Sequence, residues 1–278
     1  MARPERDHTV TELLLPLAAL LLIGAFAFAT GCAGGEKNPD FPLSVDAARD
    51  AKAEMRDSPV APERPIVLAA GYYDPGLIVG RLRRDLQAML DDDAEILTVT
   101  FVTAFGFEQC RDRLVNVVEE RWPSESDETT VEVDVVAYSM GGLVSRYAAM
   151  PRSDGRQLRI ARLFTISTPH RGARLAGLPT LDSRVRDMRS ESAFLQSLDE
   201  HLEVSGYELY CYVRLNDFIV GEQNAAPPNM EPWWVPNVPF GLGHIGAVND
   251  PRIQADIARR LRGERPWAGL PEGKSTGP

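Results

Sequence analysis

The chain has 278 residues, of which 44% are hydrophobic, so it can form one or two domains with a substantial core. Its formal net charge is −10 at pH 7, and it contains no basic cluster, which argues against a nucleic-acid partner. The sequence has neither an internal repeat nor a zinc-like spacing of cysteine and histidine.

The N-terminus has the features of an export signal. Arg3 and Arg6 precede an apolar stretch over 13–29, and small residues follow before Cys32. A charged start, a short apolar core and small residues before a cleavage point are typical of secretory signals, so 1–32 is predicted to be one. An uncleaved anchor is the alternative, because the run approaches the ~20 residues that span a bilayer. Either form places the rest of the chain outside the cytoplasm, in the cell envelope.

The segments that flank the central part of the chain are rich in glycine and proline. Residues 33–64 are predicted to form a flexible tether with one short helix over 44–57, and 263–278 a disordered tail. The region between them, 65–262, is predicted to fold as one domain.

Within 65–262, apolar strands alternate with amphipathic helices. Helical spacing of apolar residues separates the strands, and this alternation predicts an α/β fold with a mostly parallel sheet and helices on both faces. Residues 171–206 break the alternation and are predicted to form a small lid or a simple connection. The predicted strands lie at 65–70, 95–99, 131–137, 160–167 and 209–215.

The pentad Ala137-Tyr138-Ser139-Met140-Gly141 lies between a predicted strand and a predicted helix. A serine on such a tight turn is lifted clear of the sheet, and small neighbours leave room beside its hydroxyl. The usual form of this motif has glycine where this chain has Ala137. The pattern therefore predicts Ser139 as a nucleophile, with the Met140 backbone N–H directed toward a developing oxyanion.

A serine nucleophile on this turn needs a histidine base later in the chain. Of the four histidines, His8 lies in the signal, His170 directly follows a predicted strand and His201 lies on a helix of the lid region. Only His244 is predicted to lie in a loop after both Ser139 and the last predicted strand. His244 is therefore the candidate base.

The acid that orients the histidine is expected between the nucleophile and the base. Asp217 comes directly after a predicted strand, so its side chain is expected at the carboxyl edge of the sheet. Asp182 and Asp187 are alternatives within the lid region. The second oxyanion donor is expected from the loop after the first strand, where the Tyr72 N–H lies beside Gly71.

Four segments together resemble the α/β-hydrolase lipases and related esterases, including the triacylglycerol lipase-like and PGAP-like groups. They are Ala-Tyr-Ser-Met-Gly-Gly-Leu-Val-Ser-Arg-Tyr at 137–147, Ser-Thr-Pro-His-Arg-Gly at 167–172, Asn-Asp at 216–217 and Gly-His-Ile-Gly at 243–246. The similarity extends from about residue 65 to residue 262. It implies an α/β-hydrolase fold, no metal or organic cofactor, and a base other than the histidine of the second segment.

The resemblance also implies a reaction and a location. It implies hydrolysis of carboxylic esters by a lipase or esterase, and Ala-Thr-Gly-Cys at 29–32 resembles the lipobox of bacterial lipoproteins. Cys32 is therefore the expected lipidation site, with the domain held at a membrane facing the periplasm or the exterior. Acyl lipids would suit that position. Acyl transfer by the same three residues and a non-catalytic binding protein are the alternatives, and the oligomeric state is not predicted.

Aromatic and apolar residues give hints of an acyl-chain groove, although each is individually more typical of a core. These residues are Tyr72, Tyr73, Phe194, Leu195, Trp233, Trp234 and Phe240.

Overall fold

A parallel sheet of six strands organises the fold. The computed structural model describes residues 41–153, 155–237 and 242–267, all of which belong to one compact unit. The strand order is β2-β1-β3-β4-β5-β6, with every neighbouring pair parallel, so the predicted parallel sheet is confirmed. The strands are β1 Ile66–Ala69, β2 Ile96–Val99, β3 Val133–Tyr138, β4 Ile160–Ile166, β5 Glu208–Arg214 and β6 Trp233–Val235.

Helices cover both faces of the sheet. Alternate strand residues point to opposite faces, so Val67 and Val135 contribute to one apolar cluster while Leu68 and Val136 contribute to the other. This confirms the prediction of helices on both faces. The helices are α1 Val45–Asp57, α2 Leu77–Gln87, α3 Phe107–Arg121, α4 Met140–Ala148, α5 Ser183–Asp187, α6 Ala193–Leu202, α7 Gly243–Val248 and α8 Pro251–Leu261, with 3-10 turns at Arg174–Gly177 and Glu222–Ala225.

The described end of the predicted tether packs onto the folded unit. The helix predicted over 44–57 is confirmed as α1, where the Ser44 side chain accepts a hydrogen bond from the Ala47 N–H at 3.1 Å. Ala48 and Met55 of α1 are buried, and the Arg262 guanidinium donates to the Ser58 carbonyl at 2.8 Å. This differs from a flexible tether, because the apolar stripe of α1 lies against α8.

Both ends of the chain extend beyond the described residues. Residues 263–267 follow α8, and the Trp267 N–H donates to the Asp256 carboxylate at 3.0 Å. The predicted signal, the lipidation site Cys32 and the tail after residue 267 lie outside the described residues. In the part of the chain that the structure describes, no helix has the length and apolar character to span a membrane.

The lid region, 171–206, contains a 3-10 turn, α5 and α6. Arg146 of α4 holds α6 in place, because its guanidinium donates to the Leu198 carbonyl at 2.7 Å and to the Asp199 carboxylate at 2.8 Å. Phe194 of α6 stacks on Phe107 with ring centroids 4.1 Å apart. Movement of this region as a lid stays a prediction.

Candidate active site

Ser139 occupies the sharp turn between β3 and α4. Its backbone has φ 53° and ψ −125°, a left-handed conformation that costs energy for a residue with a side chain. Hydrogen bonds hold this turn from both sides. The Ser139 N–H donates to the Ile166 carbonyl at 2.9 Å, and the Ser139 carbonyl accepts from Thr168 Oγ1 at 2.8 Å and from the Gly142 N–H at 3.1 Å. The surrounding structure thus keeps a strained backbone that lifts the serine side chain off the end of β3.

Gly141 allows α4 to begin against the end of β1. A Cβ added at Gly141 would lie 2.4 Å from the Ala69 carbonyl oxygen and 2.6 Å from that of Ala70. No side chain fits in this space, which explains why the turn requires glycine here. Ala137, the residue that differs from the usual motif, is fully buried in β3 between Ala69 and Thr165 of the neighbouring strands.

The structure brings Ser139, His244 and Asp217 into one hydrogen-bonded series. His244 Nε2 lies 3.1 Å from Ser139 Oγ, and His244 Nδ1 lies 2.8 Å from Asp217 Oδ2. Because the Asp217 carboxylate can only accept hydrogen bonds, His244 Nδ1 carries a proton and donates to it. His244 Nε2 can then accept a hydrogen bond from the Ser139 hydroxyl. All three side chains are largely shielded from solvent, with Ser139 8% exposed.

Asp217 is fixed by its own loop after β5. Its Oδ1 accepts from the backbone N–H groups of Ile219 at 3.1 Å and Val220 at 3.0 Å. Its Oδ2 is thereby aimed at His244. A buried carboxylate with both oxygens engaged in this way can orient an imidazole and stabilise its charged form.

His244 lies in the first turn of the short helix α7, and the prediction that it lies in a loop is wrong. Gly243 lets α7 approach the acid loop, because an added Cβ would lie 2.4 Å from the Asn216 carbonyl oxygen. The Tyr138 ring lies 5.1 Å from the His244 ring, centroid to centroid. The imidazole is therefore held between the strand that carries Ser139 and the loop that carries Asp217.

The other two described histidines make no hydrogen bond to Ser139. His170 is fully buried, with Nδ1 3.0 Å from the Arg146 guanidinium and Nε2 3.0 Å from Thr165 Oγ1. Burial, and next the Arg146 charge, hold the pKa of His170 well below its ordinary value of 6.5, so the ring stays neutral. His170 links β4 to α4, and His201 lies on α6.

The loop after β1 lies against the nucleophile. A Cβ added at Gly71 would be 3.2 Å from Ser139 Cβ and 2.9 Å from the Tyr138 ring. Across the described ranges, the backbone N–H groups of Tyr72 and Met140 have no hydrogen-bond acceptor. Two unpaired donors next to a serine are what an oxyanion site requires.

Most of the residues suggested for an acyl groove pack within the fold. Phe194 and Leu195 belong to the core under α6, and Trp233 packs edge-on against Phe41. Trp234 is nearly buried, whereas Tyr72 and Tyr73 lie in the loop beside Ser139. Phe240 lies outside the described residues.

The alternative acid Asp182 has a different partner. It caps α5, and its Oδ2 accepts a hydrogen bond from the Tyr72 hydroxyl at 2.7 Å. The sequence offers no signal for this contact, because the two residues are 110 positions apart. Asp187, the other alternative, ends α5.

The comparison with protein families agrees with a serine as the central residue of this site. Residues 96–189 match the model of a family described as "Putative serine esterase (DUF676)". This stretch runs from β2 to just beyond α5, so it includes Ser139 but not Asp217 or His244. No curated protein matches the chain.

Two solved structures are similar to the chain. Bacillus licheniformis lipase BlEst2 in its mature form has 15% sequence identity and a TM-score of 0.52, covering 74% of this chain and 94% of that chain. Phospholipase PlaB from Legionella pneumophila, in complex with thio-NAD, has 12% identity and a TM-score of 0.37, covering 52% of this chain and 37% of that chain. The first similarity and the observed sheet show that the chain has the α/β-hydrolase fold. The family match and this fold support a serine hydrolase.

Proposed function

We propose that the chain is a serine hydrolase that cleaves carboxylic esters, with Ser139, His244 and Asp217 as its catalytic residues. The observation that carries the proposal is the continuous series of hydrogen bonds from Ser139 Oγ through His244 to Asp217. The parallel sheet supports it further, because the three residues follow β3, β6 and β5 and so reach the same edge.

The reaction follows from the order of these contacts. Ser139 Oγ attacks the ester carbonyl carbon while its proton passes to His244 Nε2, and the carbonyl oxygen becomes an oxyanion between the Met140 and Tyr72 N–H groups. His244 then gives the proton to the leaving alcohol as the acyl-enzyme forms. Water repeats these steps, releases the acid and restores Ser139. Asp217 stays ionised and stabilises the charged imidazole.

We further propose that the substrates are esters with an apolar acyl group, such as acyl lipids. The described residues include nine large apolar side chains that are exposed, and seven of them lie in the first half of a connection that follows the carboxyl end of a strand. Each CH₂ group of an acyl chain that apolar side chains bury contributes about 0.8 kcal/mol, so longer acyl chains should bind more tightly. The seven residues are Tyr73, Leu77, Val102, Phe105, Leu178, Leu181 and Leu242.

A series of p-nitrophenyl esters with increasing acyl length tests both parts of the proposal. The protein should hydrolyse the series, and Ser139→Ala should abolish turnover while Ser205→Ala, a serine beyond α6, should leave it unchanged. An apolar acyl site predicts that kcat/KM rises with chain length. Activity confined to acetate and butyrate esters would contradict the acyl-lipid part and leave an esterase.

The products separate hydrolysis from its alternatives. The proposal predicts free acid as the product even when glycerol is added as an acceptor. Accumulation of a glycerol ester would instead identify acyl transfer by the same residues. No turnover of any ester, with Ser139→Ala indistinguishable from the parent, would identify a non-catalytic binding protein.

A further inference from the structure

We propose that the side chains of Asp182, Arg184 and Tyr72 position the Tyr72 backbone N–H as an oxyanion donor. Asp182 and Arg184 belong to the lid region, so oxyanion stabilisation depends on the docked position of that region. This inference rests on the proposed ester hydrolysis and adds positioning residues to it.

The contacts form a closed cluster. The Tyr72 hydroxyl donates to Asp182 Oδ2 at 2.7 Å, and Arg184 donates to both carboxylate oxygens through Nη2 at 2.7 Å and Nε at 3.1 Å. A forked guanidinium–carboxylate pair of this kind fixes orientation as well as distance. Burial raises the pKa of Tyr72, and the hydrogen bond to Asp182 raises it further, so the hydroxyl stays protonated and remains a donor.

Arg184 also connects this cluster to Tyr73 and to the loop after β2. Its side chain is 1% exposed, and its guanidinium carbon lies 4.8 Å from the centre of the Tyr72 ring and 5.2 Å from that of Tyr73. Its Nη1 donates to the Phe101 carbonyl in the loop after β2 at 3.2 Å. The loops after β1 and β2 and the start of α5 are thereby tied to one buried cation.

The loop that carries Tyr72 needs such an anchor. It turns sharply, with Tyr73 at φ 53°, and its far end is held by Asp74, whose carboxylate accepts from the N–H groups of Gly76 and Val79 at 2.9 and 3.2 Å. The Asp74 side chain therefore holds the part of the loop that follows Tyr72 in the sequence. The Asp74 N–H also closes the turn on the Gly71 carbonyl at 3.3 Å, and the hydroxyl of Tyr72 is the polar contact that ties the Tyr72 side chain to the lid region.

A donor that is displaced from the oxyanion weakens the transition state and leaves the bound substrate nearly unaffected. Removal of a whole oxyanion donor costs about 10²- to 10³-fold in kcat, so loss of its positioning should cost about 10- to 100-fold. The KM for the ester should stay within about twofold.

Tyr72→Phe and Asp182→Asn test this inference on the full chain. Tyr72→Phe keeps the ring under Arg184 and removes only the hydroxyl, and Asp182→Asn removes the charge with little change in shape. The matched control is Tyr210→Phe, which also loses a hydroxyl bonded to a carboxylate, that of Glu208 at the start of β5.

The readouts are kcat, KM and the Ki of a trifluoromethyl ketone, whose hemiketal oxygen occupies the oxyanion position. Both test variants should lower kcat about 10- to 100-fold and raise the Ki by the same factor at nearly constant KM, while Tyr210→Phe stays at the parent value. Unchanged kcat and Ki in Tyr72→Phe, or an equal loss in Tyr210→Phe, would overturn the positioning role while the ester hydrolysis of the parent stands. A parent without turnover would overturn the proposed function itself and this inference with it.

Discussion

Gly141→Ala should impair the site strongly although it adds only a single methyl group. The new Cβ would lie 2.4 Å from the Ala69 carbonyl oxygen, whereas ordinary contacts begin near 3.4 Å. Because this oxygen belongs to the backbone of a buried strand, α4 and β1 must separate by about 1 Å. Ser139 lies two residues before Gly141, and Gly71 lies two residues after Ala69, so the nucleophile and the oxyanion loop move apart together.

The size of the effect follows from that displacement. A misplacement of 1 Å costs about 10²-fold in rate, and overpacking of this kind costs about 1–3 kcal/mol in the free energy of unfolding. The assay is kcat/KM for p-nitrophenyl butyrate, with urea unfolding measured in parallel. Gly80→Ala on α2 is the matched control, because no heavy atom lies within 4 Å of its added Cβ. Gly80→Ala should keep parent activity and gain about 0.5–1 kcal/mol of stability. Gly141→Ala with kcat/KM within threefold of the parent would refute this account of the turn.

Three further predictions concern other parts of the chain. Asp217→Asn should keep the fold and lower kcat about 10³- to 10⁴-fold in the ester assay, because His244 is then held in the wrong tautomer; a loss below tenfold would contradict that role. His170 is neutral in the folded protein but takes up a proton below about pH 6.5 when unfolded, so His170 alone should cost the parent about 1.4 kcal/mol of stability per pH unit just below 6.5. Urea titrations should show this loss absent from His170→Gln, and parallel pH curves for the two proteins would contradict it. Cys32→Ala should move the protein from the membrane to the soluble fraction of a bacterial host and abolish labelling by an azido fatty acid, and an unchanged distribution would contradict lipidation.

Elements with strong apolar periodicity are predictable from the sequence. The spacing over 110–122 predicts α3, and Asp250 followed by Pro251 predicts the start of α8, which the structure confirms with an Asp250 side-chain cap on the Arg252 N–H. Short elements are not predictable in this way. Strand β6 has three residues between two prolines, so its sequence shows no alternation of apolar and polar residues and predicts a loop. Helix α7 contains two glycines and forms because it packs against β5.

The residues of the candidate site likewise differ in whether the sequence predicts them. Ser139, Asp217 and His244 are predictable because each follows a strand in an order that the chemistry requires, and the structure then brings them within hydrogen-bond distance. The contact between Tyr72 and Asp182 follows no local pattern. It depends on how the lid region folds back over the loop after β1, which only tertiary structure determines.

Covalent labelling of Ser139 tests the central claim most directly. The intact protein is treated with a fluorophosphonate and digested, and the modified peptide is identified by mass spectrometry. A nucleophile activated by His244 predicts one stoichiometric adduct on Ser139, lost in Ser139→Ala and strongly slowed in His244→Ala. A folded parent that stays unlabelled, or an adduct on a different serine, would contradict the account.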